Sequence, residues 1–548
     1  MRLLRYNSLR KNNILCFLSL SLFFYYLIAL QDIHAQTFGP IDNRFSTIQQ
    51  NSVSSLEASG NTLWIGPGLN AYFENSGDIL TPQNADSIFS GRGRVFSMAV
   101  YGSRIFAGTG FTSTVGGDPV NAAQGYLQSF NNGDDWNFIP FFLDERPPSG
   151  CDGNSIGPPC DVEFQYGGQT YLRTRISVPE QSPPFEVDFH ENTLLAVHWA
   201  SGLLRSSNNG QSWERIILPP SFEDELNPAE NYQWFSRTSD GETVNRYDPR
   251  FDNNLLGFGL LIDSNQTVWV GTAGGINISE NALSAPADQI SWRRASFDPE
   301  NESGLMGNWI VSIREQPETG RIWMTNWRAD PDNLDAFGLV YTEDGGETFN
   351  RFLEGFRVND VGFFNGSVFA AADQGLFISH DDGNSWQRIE QIQSPNTFIR
   401  SDARYFAVSS TNERLWVGTG DGLAATADGG STWQIIRVDV PLRGGNIYQP
   451  DAPDVDAYAY PNPFSPNAHS VVRIKFETSS AGSATIRIFD FGMNPVRTLT
   501  VESMPIAGSY ETLWDGRDDT GRVLSAGTYF YSVETPDGRA NGKILLIE

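Results

Sequence analysis

The sequence predicts an all-β chain: a seven-bladed β-propeller followed by a small Ig-like β-sandwich. Three observations predict it. A pattern of strand, glycine-containing turn and aromatic ring recurs seven times between residues 50 and 436. The 53 glycines and 30 prolines supply turns for many short strands rather than long helices. From residue 457 to 548 the chain reads as alternating strands with turn residues between them.

The 548 residues are 39% hydrophobic, 13% aromatic and 19% charged, enough apolar material for packed cores and too much for wholesale disorder. The formal net charge of −28 excludes a nucleic-acid partner, since phosphate binding needs clustered Lys and Arg. It argues equally against docking on anionic lipid.

Residues 1–35 read as a signal peptide. Arg2, Arg5, Arg10 and Lys11 form a basic start, Ile14 to Leu30 is an apolar run, and Ala35 offers a small residue for cleavage. An uncleaved anchor is the alternative, because the run approaches the ~17 residues needed to span a bilayer. No later segment is long and apolar enough, so no transmembrane segment is expected after cleavage. Cys16 leaves with the signal, which leaves Cys151 and Cys160 around a short Gly/Pro loop. Outside the cytosol this pair reads as a disulfide. Two free thiols or a metal pair are the alternatives, but no histidine lies nearby to complete a metal site. No cofactor is expected.

Within the repeat, a strand ending Trp-(Ile/Val)-Gly precedes a Gly-Leu step and then Ser/Thr-x-Asp/Asn-x-Gly-x-x-aromatic. The second half is complete in five copies: Asn131, Gly133 and Trp136; Asn208, Gly210 and Trp213; Asp344, Gly346 and Phe349; Asp381, Gly383 and Trp386; Asp428, Gly430 and Trp433. Leu63–Asp78 and Val268–Ser279 are degenerate copies, the latter with an insertion before Trp292. The Asx side chain folds back on nearby backbone N–H groups. The glycine allows positive φ at the reversal, and the closing ring packs between neighbouring sheets. Small antiparallel sheets that cannot bury both faces alone do so by stacking radially.

This motif resembles the Asp-box (BNR) repeat of sialidases, sortilin and related propellers. The resemblance covers about residues 36–440 and implies that the box residues are structural, on the face away from an active site.

Residues 441–456 read as a Pro/Gly/acidic linker. The module at 457–548 carries Tyr460-Pro-Asn-Pro-Phe464, Trp514-Asp-Gly-Arg-Asp518 with Gly521-Arg522, Gly527-Thr-Tyr529 and Lys543-Ile-Leu-Leu. These residues resemble the C-terminal sorting domain of type IX secretion cargo and the Ig-like domain of the flagellar hook-capping protein FlgD. The resemblance implies a partner in the outer-membrane type IX secretion machinery, and a secreted or surface location in a Bacteroidetes-like bacterium. An ordinary spacer Ig domain is the alternative.

Function is expected on loops. Gly108–Gly125, Thr325–Gly338, Asn137–Val187 and Glu214–Leu256 are long and fall on the rim opposite the repeated turns. They place Trp327, Arg328, Asp330, Asp332, Trp234 and Tyr232 as ligand-binding candidates, with Trp199 in a further rim segment. Flat rings beside carboxylates suit sugar stacking and hydrogen bonding. The competing reading makes the rings core and the acids solvated loop residues. No catalytic residue is assigned, as no HExxH, GxSxG or phosphate loop occurs. The preferred reading is a non-enzymatic module that binds a glycan or a surface protein. The alternatives are an exo-acting glycoside hydrolase and an extracytoplasmic scaffold factor.

Overall fold

The computed structural model describes residues 48, 51–74, 78–80, 93–329, 334–394, 397–437, 455–466 and 471–547. The expected signal peptide (1–35), Asp330, Asp332 and residues 441–454 of the expected linker lie outside them. The chain divides into two compact units, one built on Asp42–Gln391 and Arg400–Thr432, the other on Ile392–Ile399 and Trp433–Glu548.

The first unit is a β-propeller, complete but for the last strand of its seventh sheet, Gln434–Ile436, which lies beyond the unit's boundary at Thr432. Seven antiparallel sheets follow one another along the sequence: residues 55–80, 94–140, 184–216, 257–295, 309–352, 358–389 and 405–436, here blades 1 to 7. Each has strand order 1-2-3-4, and Glu225–Leu226 adds a fifth strand to the edge of blade 4. The first strands contact one another in sequence, and the first strand of blade 7 contacts that of blade 1. The ring is therefore closed by side-by-side packing. Val53 N–H donates to Thr419 O at 2.9 Å, and Asn412 N–H donates to Gly60 O at 2.8 Å.

The repeated turn explains why each blade ends where it does. Ser129 Oγ accepts from Gly133 N–H at 2.9 Å and donates to Asn131 Oδ1 at 3.1 Å; Asn131 Oδ1 then accepts from Asp135 N–H at 2.9 Å. The same bonds recur around Asn208, Asp344, Asp381 and Asp428. The degenerate blade 4 copy keeps two of the three across its insertion: Ser279 Oγ donates to Asn281 Oδ1, which accepts from Ser291 N–H at 3.0 Å. Bonds to the Asp428 turn hold that carboxyl down at about 2.

Each turn also packs one blade on the previous one. Gly133 and Gly210 have φ of +88° and +84°, and a Cβ on them would lie 2.4 Å from Trp64 and from Ile139 respectively. Four of the closing rings sit in the same seams. Trp136 meets Trp64 edge-on at 5.7 Å, Trp213 stacks on Tyr126 at 4.7 Å, and Phe349 belongs to the cluster of Trp269 and Ile278. Trp386 approaches Phe352 at 6.4 Å, and Trp433 is buried. Rings of this size dominate seam energetics through the 150–250 Å² each can cover.

The second unit contains an Ig-like sandwich. One sheet pairs residues 457–460, 472–478 and 508–514; the other has the order 495–504, 482–489, 527–535, 538–546. Phe464, Ile474, Phe476, Ile486, Trp514, Tyr531 and Val533 fill the space between. The quoted motifs have local jobs. Phe464 exchanges backbone bonds with Leu545 and Ile547. Trp514 Nε1 donates to Arg517 O at 2.9 Å, and Asp518 Oδ1 accepts from Thr520 and Arg522 N–H, closing the turn. Tyr460 OH and Arg473 Nη1 donate to Glu511, which burial raises and the nearby guanidiniums lower, with a downward net result.

Candidate functional site: the central channel

The first strand of every blade faces the axis with alternate side chains. Along 55–59 the outward positions are apolar while Glu57 points inward; along 184–190, Glu186 and Asp188 do so. Tyr101 of blade 2, Arg314 of blade 5 and Asp360 of blade 6 join them. Arg314 Nη1 lies 3.5 Å from Glu57 Oε1 and 3.8 Å from Glu186 Oε2, and its Nε lies 3.3 Å from Asp360 Oδ1. One guanidinium thus serves three carboxylates from three blades.

Two of the acids also bond neighbouring blades directly. Asp360 Oδ1 accepts from Ser312 Oγ at 2.7 Å and its Oδ2 from Val408 N–H at 3.0 Å. Asp188 accepts from Tyr101 OH at 3.0 Å and from Ile262 N–H at 2.7 Å. With fewer cations than carboxylates in a desolvated channel, proton affinity rises. Burial pushes Glu57 up to about 7 and Glu186 up to about 8 against the pull of Arg314. Burial likewise raises Asp188 to about 6, despite its two backbone donors. Arg314 is lowered by burial, but its three acid partners outweigh that and raise it.

Glu57, Tyr101, Asp188 and Arg314 of this cluster line a cavity of about 690 Å³. Arg104, Glu191, Ser264 and Gln266, on the hairpins after the first strands, form its outer wall. Antiparallel connectivity puts those hairpins on the same side as the repeated Asx turns. The cavity therefore belongs to the face opposite the long loops, where the sequence reading expects the site. Sequence reasoning passed over the channel acids because they carry no motif. Their one signal is an acid at an inward position of an otherwise apolar first strand.

On the loop side the expected residues are placed as follows. Phe185, Phe258 and Trp309, at the starts of three successive first strands, pack with Trp199; Trp199 lies 4.8 Å from Phe258 and 5.8 Å from Trp309. Trp234 is 1% and Tyr232 5% exposed; both belong to one core cluster with Tyr166, Tyr171 and Tyr247. Trp234 Nε1 donates to Leu218 O at 3.1 Å. These rings are covered because the two long insertions, 137–187 and 214–256, form their own hairpins at 162–173 and 235–245 and pack on each other. Trp327 is 6% exposed, donates to Val358 O at 2.6 Å and is capped by the Arg357 guanidinium 3.9 Å above its ring. Arg328 follows it, partly exposed, on the loop that carries the undescribed Asp330 and Asp332. The expected disulfide between Cys151 and Cys160 is formed. Among the described residues no group of three or more His, Cys, Asp or Glu side chains is arranged to hold a metal.

No curated protein matches the chain by sequence. Solved structures with a similar fold include the GH74 enzyme of Niastella koreensis, 11% identical with a TM-score of 0.46 over 94% of this chain and 75% of that one. PorZ, a surface component of the type IX secretion system of Porphyromonas gingivalis, is 12% identical with a TM-score of 0.33 over 91% and 76%. YCF48 from Cyanidioschyzon merolae is 15% identical with a TM-score of 0.39 over 70% and 96%. Within the sandwich, residues 465–539 match the FlgD Ig-like domain family.

Proposed function

We propose that this protein is an exported propeller that binds a glycan or a surface protein without transforming it, and that its C-terminal module delivers it through the type IX machinery to the cell surface or medium. The observation that carries the non-enzymatic reading is the commitment of the channel acids. Glu57, Glu186 and Asp360 share Arg314, and Asp188 and Asp360 bond the backbones of adjacent blades. A glycosidase needs two carboxylates ~5–9 Å apart that are free to address one bond. Acids that tie the ring together serve the scaffold. Incubating the purified chain with a glycan panel and analysing the products tests this: retention without cleavage is expected, and any released sugar overturns it.

The hydrolase reading keeps one observation in its favour. Glu186, held protonated up to about 8 beside Glu57, has the property of a general acid. If products appear, Glu186→Gln should abolish them. Export is supported by the motifs at Tyr460, Trp514 and Tyr529 and by the FlgD-like sandwich they build. Deleting residues 457–548 should leave the propeller trapped in the periplasm on fractionation; its normal appearance at the surface would refute the sorting role. Among the described residues, no helix is long and apolar enough to cross a membrane.

A further inference from the structure

The two insertions that bury Trp234 also build a second concavity, of about 350 Å³, which shares no lining residue with the channel cavity. Its walls are latched. Ser239 N–H donates to Gly153 O at 3.1 Å and Asp240 N–H to Asn154 Oδ1 at 3.0 Å, which joins the disulfide loop to the 235–245 hairpin. A Cβ on Gly153 would lie 1.7 Å from Ser239 Oγ, so a larger residue there would force that hydroxyl to move. Arg175 secures the other side by donating to the carbonyls of Pro159, Cys160 and Glu145.

Four arginines line this pocket: Arg175, Arg237, Arg246 and Arg250. Arg246 and Arg250 are matched by Asp161 and Asp248, although Arg250 keeps its side chain 64% exposed. Asp152, also in the lining, turns its carboxylate into its own loop, toward Asn154 N–H and Ser155 Oγ. Arg175 and Arg237 have no acidic partner within 4.0 Å among the described residues. In a chain of net charge −28, a pocket with more guanidiniums than carboxylates is unusual. Guanidiniums pair with carboxylate or sulfate oxygens through two parallel bonds, which a point charge does not provide. Ring and hydroxyl groups accompany the charge: Phe251 is 37% exposed beside Arg250, and Thr174, Ser177 and Ser239 lie in the wall. A sugar ring presents an apolar face and several hydroxyls to such a surface.

We propose that this pocket is a binding site for an anionic sugar residue, its carboxylate or sulfate held by Arg237 and Arg175 and its ring lying against Phe251. The proposal deepens the glycan-binding reading and rests on it. Isothermal titration of the purified full chain with an oligogalacturonate, a heparin oligosaccharide and a neutral cello-oligosaccharide, at low and high salt, tests it. The acidic sugars should bind, the neutral one should not, and high salt should weaken binding about tenfold. Arg237→Gln should lose about fivefold or more in affinity with an unchanged melting temperature, and Arg237→Lys should lose less. Preference between oligogalacturonate and heparin assigns carboxylate or sulfate. Acidic sugars that bind Arg237→Gln as tightly as the unaltered chain would overturn this site while leaving the glycan-binding reading intact. Equal or exclusive binding of the neutral sugar would do the same. Failure of every sugar in the titration and the wider panel would overturn the glycan reading itself.

Discussion

Replacing Glu186 by Gln should stabilise the propeller at alkaline pH. Glu186 has a folded-state value near 8 against an ordinary 4.5, because burial penalises its charge more than Arg314 rewards it. The sign follows from proton linkage. Between 4.5 and about 8 the folded chain keeps a proton that the unfolded chain has released, so stability falls as pH rises across that window and levels off above it. In the limit this costs on the order of 4–5 kcal/mol above the window. The side chain is 13% exposed and its charge is felt together with that of Glu57, which brings the expectation down to ~2 kcal/mol. Glutamine removes the ionisation while Glu57 and Asp360 still hold Arg314. Thermal unfolding of both proteins at about pH 5 and about pH 9 reads the effect: the variant should gain a few degrees at the higher pH and little at the lower. An equal shift at both pH values, or a variant less stable at pH ~9, would refute the account of a cation-poor channel.

The other expectations follow from packing. Trp327→Ala should cost ~3–5 kcal/mol, because the ring is buried, bonded to Val358 O and capped by Arg357; a near-unchanged melting temperature would show that the ring is dispensable to the fold. Gly210→Ala, which meets Ile139 at 2.4 Å, should destabilise by ~2 kcal/mol or more, whereas Gly429→Ala, at similar positive φ with nothing within 4 Å, should cost ~1 kcal/mol; equal losses in chemical denaturation would remove the inter-blade role of the turn. Replacing Cys151 and Cys160 together by serine should cost ~2–3 kcal/mol and make unfolding insensitive to reductant.

Where sequence and structure agree, the physics is local. The Asx turn at Asn131 is built by residues 129–135, and the side-chain bonds of Ser129 and Asn131 that shape it are made within them. Hence the turns, the strands that flank them and the disulfide loop could be read directly. Where the reading of loop rings needed more, the deciding contact is remote: Tyr232 N–H meets Tyr171 OH, and Arg357 covers Trp327. A Trp in a long loop looks exposed until a second insertion from another blade folds over it.

The sequence by itself determined the all-β class, the recurring unit and the sandwich, because each depends on strand period and turn chemistry within a few residues. The tertiary structure alone decided which acids matter. Glu57, Glu186, Arg314 and Asp360 lie up to several blades apart in the chain, and only closure of the ring brings the three acids around one guanidinium. The raised proton affinities of Glu57 and Glu186 come from that shared, desolvated surrounding, a property of the assembled channel that no single strand carries.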